Sequence, residues 1–521
     1  MRRIALALAF VSLAVWPVEA APEVHTAQGT VAGAIDSGIS VFKGIPFAAP
    51  PVGALRWRPP QEAPAWQGAR DANHFGPICP QAPRPVGSPW REKLPESEDC
   101  LTINVWTPKA AAGAKLPVMV WVYGGGFREG GSASPLYDGT ELAQRGVVVV
   151  TFNYRLGWLG FLDLPALAAE NPNEPVGNYG LMDQIAALKW VQRNIAAFGG
   201  DPANVTIFGE SAGGMAVNDM MVSPLARGLF HRAISESGLG LITTPTAETA
   251  QKAAEDFAAE HGAGTDTGAE QLKDLRALSV YAIVHKEPKI DAAVISPMVD
   301  GKVLTDQVAR SFAEGKIAKA DYIAGSNSNE ATLMRYIGMD SDSLLKPLGD
   351  YVGMVRKVYE SGGKLDDDEF VSQLFDDGLF ASGAQGFAHF VAKAGGDARV
   401  YYFGYVADAL KLHWKGVPHG GELVYVWGLH GLANDPNTAR IAAAASDTDR
   451  QVIAMMQSYW TNFAKTGDPN GAGLPQWPLT KSGAPQTLVI DDETKPVAGY
   501  RASQLAVIYA GWARRTMLAP P

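Results

Sequence analysis

The chain has 521 residues, of which 47% are hydrophobic and 19% are charged. This is the composition of an ordinary globular protein, and it excludes a fibrous or intrinsically disordered chain. The 44 basic and 54 acidic residues give a formal charge of −10, without the clustered basic face that nucleic-acid binding requires. We therefore expect no nucleic-acid partner.

Residues 1–20 have the layout of a secretory signal peptide. Two arginines are followed by an apolar run over residues 4–15, and Val18-Glu19-Ala20 has the small residues of a cleavage site. The apolar run is shorter than the about 20 residues that a membrane-spanning helix needs. We predict cleavage after Ala20, export to the periplasm or the medium, and no membrane insertion of the mature chain, residues 21–521.

The chain has two cysteines, Cys79 and Cys100. In an exported protein, two cysteines this close together favour one disulfide, and the alternative is a pair of reduced, buried thiols. There is no CxxC pair and no HExxH motif. The sequence therefore predicts neither a catalytic metal nor another cofactor.

Unbroken apolar runs alternate with helical stretches along the chain. Residues 116–123, 147–153 and 205–208 read as strands that are buried on both faces, and residues 137–145 and 183–197 read as helices. Further strands are predicted at 321–324 and 399–406, and a late helix at 450–465. This alternation predicts an α/β fold, a mostly parallel central sheet with helices on both faces.

Residues 243–320 differ from the rest, because Ala, Glu, Lys and Asp dominate them. We expect a mostly helical insertion that lies over the sheet and the active site. No repeat and no low-complexity linker divides the chain. The prediction is one catalytic domain over residues 21–521, with insertions.

The sharpest motif is Gly209-Glu210-Ser211-Ala212-Gly213, which matches G-x-S-x-G. It follows a predicted strand and precedes a predicted helix. In this setting the serine lies on a tight strand-to-helix turn that requires small neighbours, and its oxygen is exposed as a nucleophile. The alternative is a glycine-rich turn with an idle serine. We predict Ser211 as the nucleophile.

A serine nucleophile needs a histidine base and a carboxylate that orients it, and in this fold they follow in the order serine, acid, histidine. His419 is favoured by its glycine-flanked loop, but His413 and His430 remain alternatives, while His389 lies on an apolar helical stretch. For the acid, Glu330 follows a predicted strand, which is where this fold builds its site. Asp300 and Asp321 are its rivals. The residues alone leave both positions open.

A second glycine cluster, Gly124-Gly125-Gly126, closes the strand before Phe127. Acyl transfer places negative charge on a carbonyl oxygen, and backbone N–H groups must approach that oxygen closely. A run without side chains allows this approach. The expected oxyanion-hole donors are the N–H groups of Gly125, Gly126 and Ala212, and the alternative is an ordinary glycine-rich turn.

Taken together, these motifs resemble the type-B carboxylesterase family, which includes bacterial para-nitrobenzyl esterases and the animal cholinesterases. The resemblance covers nearly the whole mature chain, in order, and begins at residues 42–51. It continues through residues 97–105, 123–127, 153–157 and 177–214. The family implies an α/β-hydrolase fold and hydrolysis of small to medium carboxylic esters through an acyl-enzyme.

The resemblance also assigns roles. The family's acid falls on Glu330, although Asn329 and Ala331 differ from the usual neighbours, and its histidine falls on His419 in the His-Gly-x-Glu context that ends at Glu422. It implies a disulfide between the two cysteines. It further implies an ion pair between Glu98 and Arg155, and a supporting serine at Ser237.

Substrate specificity is less defined. Trp90 stands where a binding tryptophan stands in cholinesterases, and a rim or core tryptophan is the alternative. Arg128 follows the oxyanion loop and predicts a preference for esters with a free carboxylate, whereas a surface arginine is the plainer interpretation. Two other functions remain open: a non-catalytic binding protein, and hydrolysis of amides, thioesters or lactones. Oligomeric state is not predicted.

Overall fold

The computed structural model describes residues 21–82, 95–264, 267–285, 294–436, 438–481, 483 and 485–521. The strands in these ranges are numbered in chain order. They are β1 Glu23–His25, β2 Thr30–Ala32, β3 Ala34–Asp36, β4 Ile39–Pro46, β5 Ala69–Asp71, β6 Thr102–Thr107, β7 Leu116–Val122, β8 Val148–Phe152, β9 Gly200–Glu210, β10 Arg232–Glu236, β11 Asp321–Asn327, β12 Ala398–Phe403, β13 Gln486–Ile490 and β14 Lys495–Ala498.

The helices of the described ranges are numbered in the same way. They are α1 Thr140–Gln144, α2 Gly157–Phe161, α3 Pro165–Glu170, α4 Tyr179–Asn194, α5 Ala212–Val222, α6 Ala247–Glu260, α7 Gly268–Ala277, α8 Val280–Val284, α9 Val308–Ala313, α10 Thr332–Tyr336, α11 Ser341–Leu345, α12 Val352–Tyr359, α13 Asp367–Phe375, α14 Ser382–Lys393, α15 Leu423–Trp427, α16 His430–Asn434, α17 Ala439–Ala444, α18 Asp447–Thr466 and α19 Ala502–Thr516. A π-helical turn, Asp376–Ala381, joins α13 to α14.

One large sheet organises the chain. Its strand order in the described residues is β14-β13-β12-β11-β10-β9-β7-β8-β6-β4-β3. The strands from β8 to β13 in this order are parallel, and antiparallel pairs occur only toward the two edges. Helices flank the sheet, which confirms the predicted fold class. A smaller sheet, β1-β2-β5, packs near the amino-terminal edge.

The central strands are the apolar runs of the sequence. Val118–Val122 of β7 and all of β8 are buried, because both faces of the sheet are covered. The strand predicted at 205–208 is longer in the structure, because pairing with β7 extends it into β9, which begins at Gly200. The predicted helix at 137–145 is shorter than expected. Its first residue, Tyr137, ends the 3₁₀ turn Pro135–Tyr137, and the Asp138 carboxylate accepts the N–H of Thr140 where α1 begins.

The parallel strands bring distant loops to one place. Because β7, β9, β10, β11 and β12 are parallel neighbours in the sheet, their carboxyl ends share an edge. The glycine loop follows β7, Ser211 follows β9, Ser237 follows β10 and Glu330 follows β11. The loop after β12 carries His419, and a backbone bridge between Asn329 and Pro418 ties it to the loop after β11.

The stretch from 243 to 320 contains four helices, α6 to α9, and no strand among its described residues. Helix α6 begins at a Thr246 cap and presents an apolar face that includes Phe257, which packs against Trp158. No helix in the described ranges is both long and apolar enough to cross a lipid bilayer.

Cys79 and Cys100 are joined by a disulfide, with an S–S distance of 2.01 Å. The predicted ion pair between Glu98 and Arg155 is not formed, so that prediction is wrong. Glu98 instead accepts two hydrogen bonds from Arg56, at 2.7 and 2.6 Å. Arg155 pairs with Asp183 instead: the Asp183 carboxylate accepts hydrogen bonds from Nε and Nη2 of Arg155, at 2.8 and 2.7 Å. The physical reason is that α4 places a fully buried carboxylate against this guanidinium.

Candidate active site

Ser211 lies on the turn between β9 and α5. Its backbone is strained, with φ 55° and ψ −124°, and its N–H donates to the carbonyl of Glu236 at 2.9 Å. The turn is possible because its glycines have no side chains. A Cβ on Gly213 would lie 2.0 Å from the carbonyl oxygen of Val122, and one on Gly209 would lie 2.6 Å from the same atom. The geometry is that of the tight strand-to-helix turn that the motif predicts.

The glycine loop after β7 packs directly on this turn. A Cβ on Gly124 would approach the carbonyl of Glu210 to 2.6 Å and the Cβ of Ser211 to 3.0 Å. Gly125 and Gly126 both have positive φ, 112° and 61°, so the loop needs the freedom of glycine. Ala212 is the first residue of α5, where backbone N–H groups have no partner within the helix. The arrangement offers N–H donors beside the serine.

His419 connects the serine to a buried carboxylate. Its Nε2 lies 2.8 Å from Oγ of Ser211, and its Nδ1 lies 2.6 Å from Oε2 of Glu330. Glu330 is fully buried, whereas 13% of the His419 side chain is exposed. Such a chain of hydrogen bonds can move the serine proton to the imidazole and stabilise the resulting cation.

The Glu330 carboxylate is held from its other side. Its Oε1 accepts hydrogen bonds from Oγ of Ser237, at 2.6 Å, and from the backbone N–H of Asn327, at 2.7 Å. Ser237 is itself strained, with φ 47°, in the turn after β10. The supporting position that the family resemblance implies for Ser237 thus corresponds to a direct contact with Glu330.

Two further buried glutamates surround the histidine. Oε1 of Glu210 lies 3.2 Å from Nε2 of His419, and Glu422 accepts a short hydrogen bond from the side-chain amide of Asn327. Burial raises the pKa of both carboxyls. Burial also lowers the pKa of His419, but the charges of Glu210 and Glu330 outweigh this effect and raise it to about 9. The site therefore stabilises an imidazolium strongly.

The other histidines and aspartates considered for the base and the acid lie away from Ser211. His413 is exposed, His389 is half-buried on α14, and His430 contacts Asp36. Asp300 accepts three backbone N–H groups of its own turn, and Asp321 pairs with Arg232 at 3.7 Å.

Four contacting groups were not predicted. The Glu210 carboxylate contacts His419, and the ring of Phe380 lies 5.2 Å from the imidazole. The Thr332 hydroxyl accepts the backbone N–H of His419. The Asp376 carboxylate accepts the backbone N–H of Ala331 at 2.7 Å, next to Glu330. Of these, only Glu210 had a signal in the sequence, a charged residue inside a turn that must be buried. Phe380 and Asp376 both belong to the π-helical turn.

The π-helical turn is anchored by Arg501 and α19. Arg501, just before α19, donates to both oxygens of Asp377, at 2.6 and 2.7 Å. Asp377 is buried, and α19 packs against the turn. The segment that contacts His419 and the Glu330 loop is thereby anchored by a residue 124 positions further along the sequence.

The two predicted specificity residues differ in outcome. Trp90 lies outside the described residues. Arg128 is half-buried beside the glycine loop, and its backbone N–H donates to the carbonyl of Gly125 at 3.1 Å. Its guanidinium forms no hydrogen bond or ion pair with the described residues, so it is available to a ligand.

Comparison with solved structures gives close matches. A solved PNB esterase superposes with a TM-score of 0.79 at 34% identity, over 93% of this chain and 99% of that one. The sequence profile described as the Carboxylesterase family matches residues 20–508. The chain belongs to the carboxylesterase family. Its fold is accordingly the α/β-hydrolase fold, and the chain is a carboxylesterase that hydrolyses carboxylic esters.

Two curated relatives of this carboxylesterase are bacterial. One, named fumonisin B1 esterase, from Sphingopyxis macrogoltabida, is 37% identical over 87% of this chain and 84% of its own length. The para-nitrobenzyl esterase of Bacillus subtilis strain 168 is 36% identical over 90% of this chain and 95% of its own. Carboxylesterase 1C of Rattus norvegicus is 35% identical, with 91% of each chain covered. The similarity therefore extends over nearly the whole carboxylesterase.

Proposed function

We propose that the chain hydrolyses carboxylic esters by a serine mechanism, with Ser211 as nucleophile, His419 as base and Glu330 as the orienting acid. The observation that carries this proposal is the position of His419, whose two ring nitrogens lie 2.8 Å from Ser211 and 2.6 Å from Glu330. A serine becomes an effective nucleophile when a positioned base takes its proton.

In acylation, Oγ of Ser211 forms a bond to the ester carbonyl carbon while its proton moves to Nε2 of His419. The carbonyl oxygen becomes an oxyanion, which the N–H groups of Gly125, Gly126 and Ala212 would stabilise. When the bond to the alcohol oxygen breaks, His419 returns the proton to that oxygen, so that a neutral alcohol leaves. Glu330 holds the tautomer with a proton on Nδ1 and stabilises the imidazolium.

Deacylation repeats these steps with water. His419 takes a proton from the water as its oxygen bonds to the acyl carbon, and then returns a proton to Oγ of Ser211. The products are the carboxylic acid and the free enzyme. Each donor removed from such an oxyanion hole raises the barrier by about 2.7–4 kcal/mol.

The test is hydrolysis of para-nitrophenyl esters, from acetate to octanoate, by the wild type and by Ser211→Ala. We expect strong activity on short chains that the substitution abolishes. If the wild type were inert to these esters but reacted with a fluorophosphonate, the site would be nucleophilic and the substrate an amide, thioester or lactone. Inertness to both reagents would contradict the proposal and favour a binding protein.

Arg128 extends the proposal to substrate charge. Its guanidinium, which has no partner among the described residues, lies beside the glycine loop and suits esters that carry a free carboxylate, because arginine binds carboxylates through two parallel hydrogen bonds. Arg128→Ala should raise KM for an anionic ester by about tenfold or more and leave a neutral ester of equal size little changed. Equal losses on both esters would remove this idea.

The amino-terminal segment supports export of one catalytic domain, residues 21–521, after removal of residues 1–20. The disulfide between Cys79 and Cys100 is consistent with an oxidising compartment. Mass spectrometry of the mature protein should place its amino terminus at Ala21. A retained leader would contradict this inference.

A further inference from the structure

Outside the catalytic site, three side chains from distant parts of the sequence converge on one point. They are Asp36 at the end of β3, Asp138 just before α1, and His430 at the start of α16. One carboxylate oxygen of each aspartate and one imidazole nitrogen lie within 4.8 Å of one another. The three segments are otherwise unrelated in sequence, so the fold itself assembles this cluster.

The spacing suits a single bound ion. Nε2 of His430 lies 3.3 Å from Oδ2 of Asp36. Two ligands that bind one zinc ion at about 2.1 Å, with tetrahedral angles, are about 3.4 Å apart. The widest separation that such bonds allow is about 4.2 Å. To reach tetrahedral spacing from separations of up to 4.8 Å, the cluster needs a contraction of at most about 1.4 Å, and Asp36, whose side chain is 45% exposed beside a hairpin turn, can supply it.

The charges of the cluster also point to a cation. Among the described residues, neither aspartate is paired with a lysine or an arginine. Ser37 donates to one oxygen of Asp36 and the N–H of Thr140 donates to one oxygen of Asp138. Each carboxylate thus keeps a second oxygen for a further ligand. Apart from His430, whose Nε2 lies 3.3 Å from Oδ2 of Asp36, neither carboxylate is paired with a basic side chain of the described residues, and a divalent ion between them would remove their mutual repulsion.

Two features of α16 support the same conclusion. Gly431 allows the helix to begin close to Asp138, because a Cβ there would lie 2.5 Å from the Asp138 Cβ and 2.0 Å from the Pro135 carbonyl oxygen. One turn later, the side-chain amide of Asn434 lies 3.1 Å from Nε2 of His430, and its oxygen can serve as a fourth ligand after rotation. His430 also lines a solvent-open cavity of about 790 Å³, through which an ion can enter.

We propose that Asp36, Asp138 and His430 bind a divalent first-row transition ion, with zinc the best fit. An imidazole with two carboxylates suits zinc or manganese, whereas calcium and magnesium prefer oxygen ligands alone. The site shares no residue with the catalytic set. Its ion would tie the β3–β4 hairpin to the segment before α1 and to α16, and would therefore stabilise the folded state.

The test is isothermal titration calorimetry of the metal-free full chain with zinc chloride. Asp36→Asn, Asp138→Asn and His430→Gln each remove one ligand, and the asparagine at 138 keeps an oxygen for the N–H of Thr140. His25→Gln is the matched control, because His25 is an exposed histidine on β1. We expect one saturable site whose affinity falls by more than about tenfold in each ligand variant and is unchanged in His25→Gln.

Cobalt gives an independent readout, since a histidine–carboxylate site should produce a visible absorption band that His430→Gln abolishes. Zinc should raise the melting temperature of the parent and not that of the ligand variants, while all of them retain esterase activity. Identical isotherms for parent and ligand variants would overturn the proposal. Equal binding of calcium at the same concentration would overturn the choice of ion.

Discussion

Oε1 of Glu210 lies 3.2 Å from Nε2 of His419, the same nitrogen that lies 2.8 Å from Oγ of Ser211. The imidazole is therefore shared between the proposed nucleophile and a second buried carboxylate. With Glu330 on Nδ1, the ring lies between two potential anions. This environment favours the protonated form of His419, whereas general-base catalysis requires the neutral form.

The first prediction concerns the pH dependence of kcat/KM. Because the pKa of His419 is raised to about 9, the rate should increase with pH as the imidazole loses its proton. Glu210→Gln removes one of the charges that raise this pKa, so the rising limb should move by about one pH unit or more toward lower pH. Glu23→Gln, an exposed carboxylate on β1, should leave the profile unchanged. A Glu210→Gln profile identical to the wild type would contradict this account.

Removal of the Ser237 hydroxyl should reduce kcat. The hydroxyl donates to the buried Glu330 carboxylate at 2.6 Å, and hydrogen bonds to charged groups contribute about 1.5–3 kcal/mol. We expect Ser237→Ala to lower kcat by about tenfold or more with little change in KM, measured on para-nitrophenyl acetate. Ser235→Ala is the matched control, because that buried hydroxyl donates to the carbonyl of Gly214 instead. Equal effects of both substitutions would indicate a general packing defect.

The pair of Arg155 and Asp183 should matter for stability. The Asp183 side chain is fully buried, and only 4% of the Arg155 side chain is exposed. Asp183→Ala leaves a buried guanidinium without its partner, which should cost about 3–5 kcal/mol in the free energy of unfolding. Glu62→Ala breaks an exposed pair with Arg193 and should cost less than about 1 kcal/mol. Urea denaturation of both variants would check the contrast, and similar losses would count against it.

Asp219 on α5 should make the protein less stable at higher pH. Burial raises its pKa to about 8, and Oδ2 has no hydrogen-bond partner among the described residues. Between its ordinary pKa of 3.8 and this value, the folded state holds a proton that the unfolded state has lost, so stability falls as pH rises. Asp219→Asn should therefore increase the free energy of unfolding by more than about 1 kcal/mol at pH 8 and have a smaller effect near pH 4.

The measurement for this fourth prediction is thermal denaturation across that range. Asp274→Asn is a suitable control, since Asp274 is an exposed carboxylate on α7. It should show the pH dependence of the wild type. A variant at position 219 with an unchanged slope would show that the carboxyl is hydrated in the folded state.

The parts of the site that the sequence predicts are those defined by local geometry. Ser211 and the glycines around it satisfy a steric demand within a few residues, so the motif identifies the turn directly. The central strands were also predictable, because burial on both faces leaves unbroken apolar runs such as Val148–Phe152. Their boundaries were less so, since pairing with a neighbour decides where a strand such as β9 begins.

The parts that were missed depend on contacts between distant segments. Residues 410–430 contain three histidines, and spacing could not show which of them reaches Ser211. The partner of Arg155 was assigned to Glu98, although the carboxylate that occupies it belongs to α4. Asp376 and Phe380 give no local signal at all, because their importance comes from the fold that brings their π-helical turn to the catalytic loops.

The ion pair between Arg501 and Asp377 has a consequence for biosynthesis. A ribosome translates Ser211, Glu330 and His419 well before it reaches Arg501. Until that residue emerges, the turn that carries Phe380 lacks the cation that fixes it, and α19 cannot pack against it. We therefore expect nascent chains to remain inactive until Arg501 and α19 have been synthesised, so that hydrolytic activity begins only after this anchor is available.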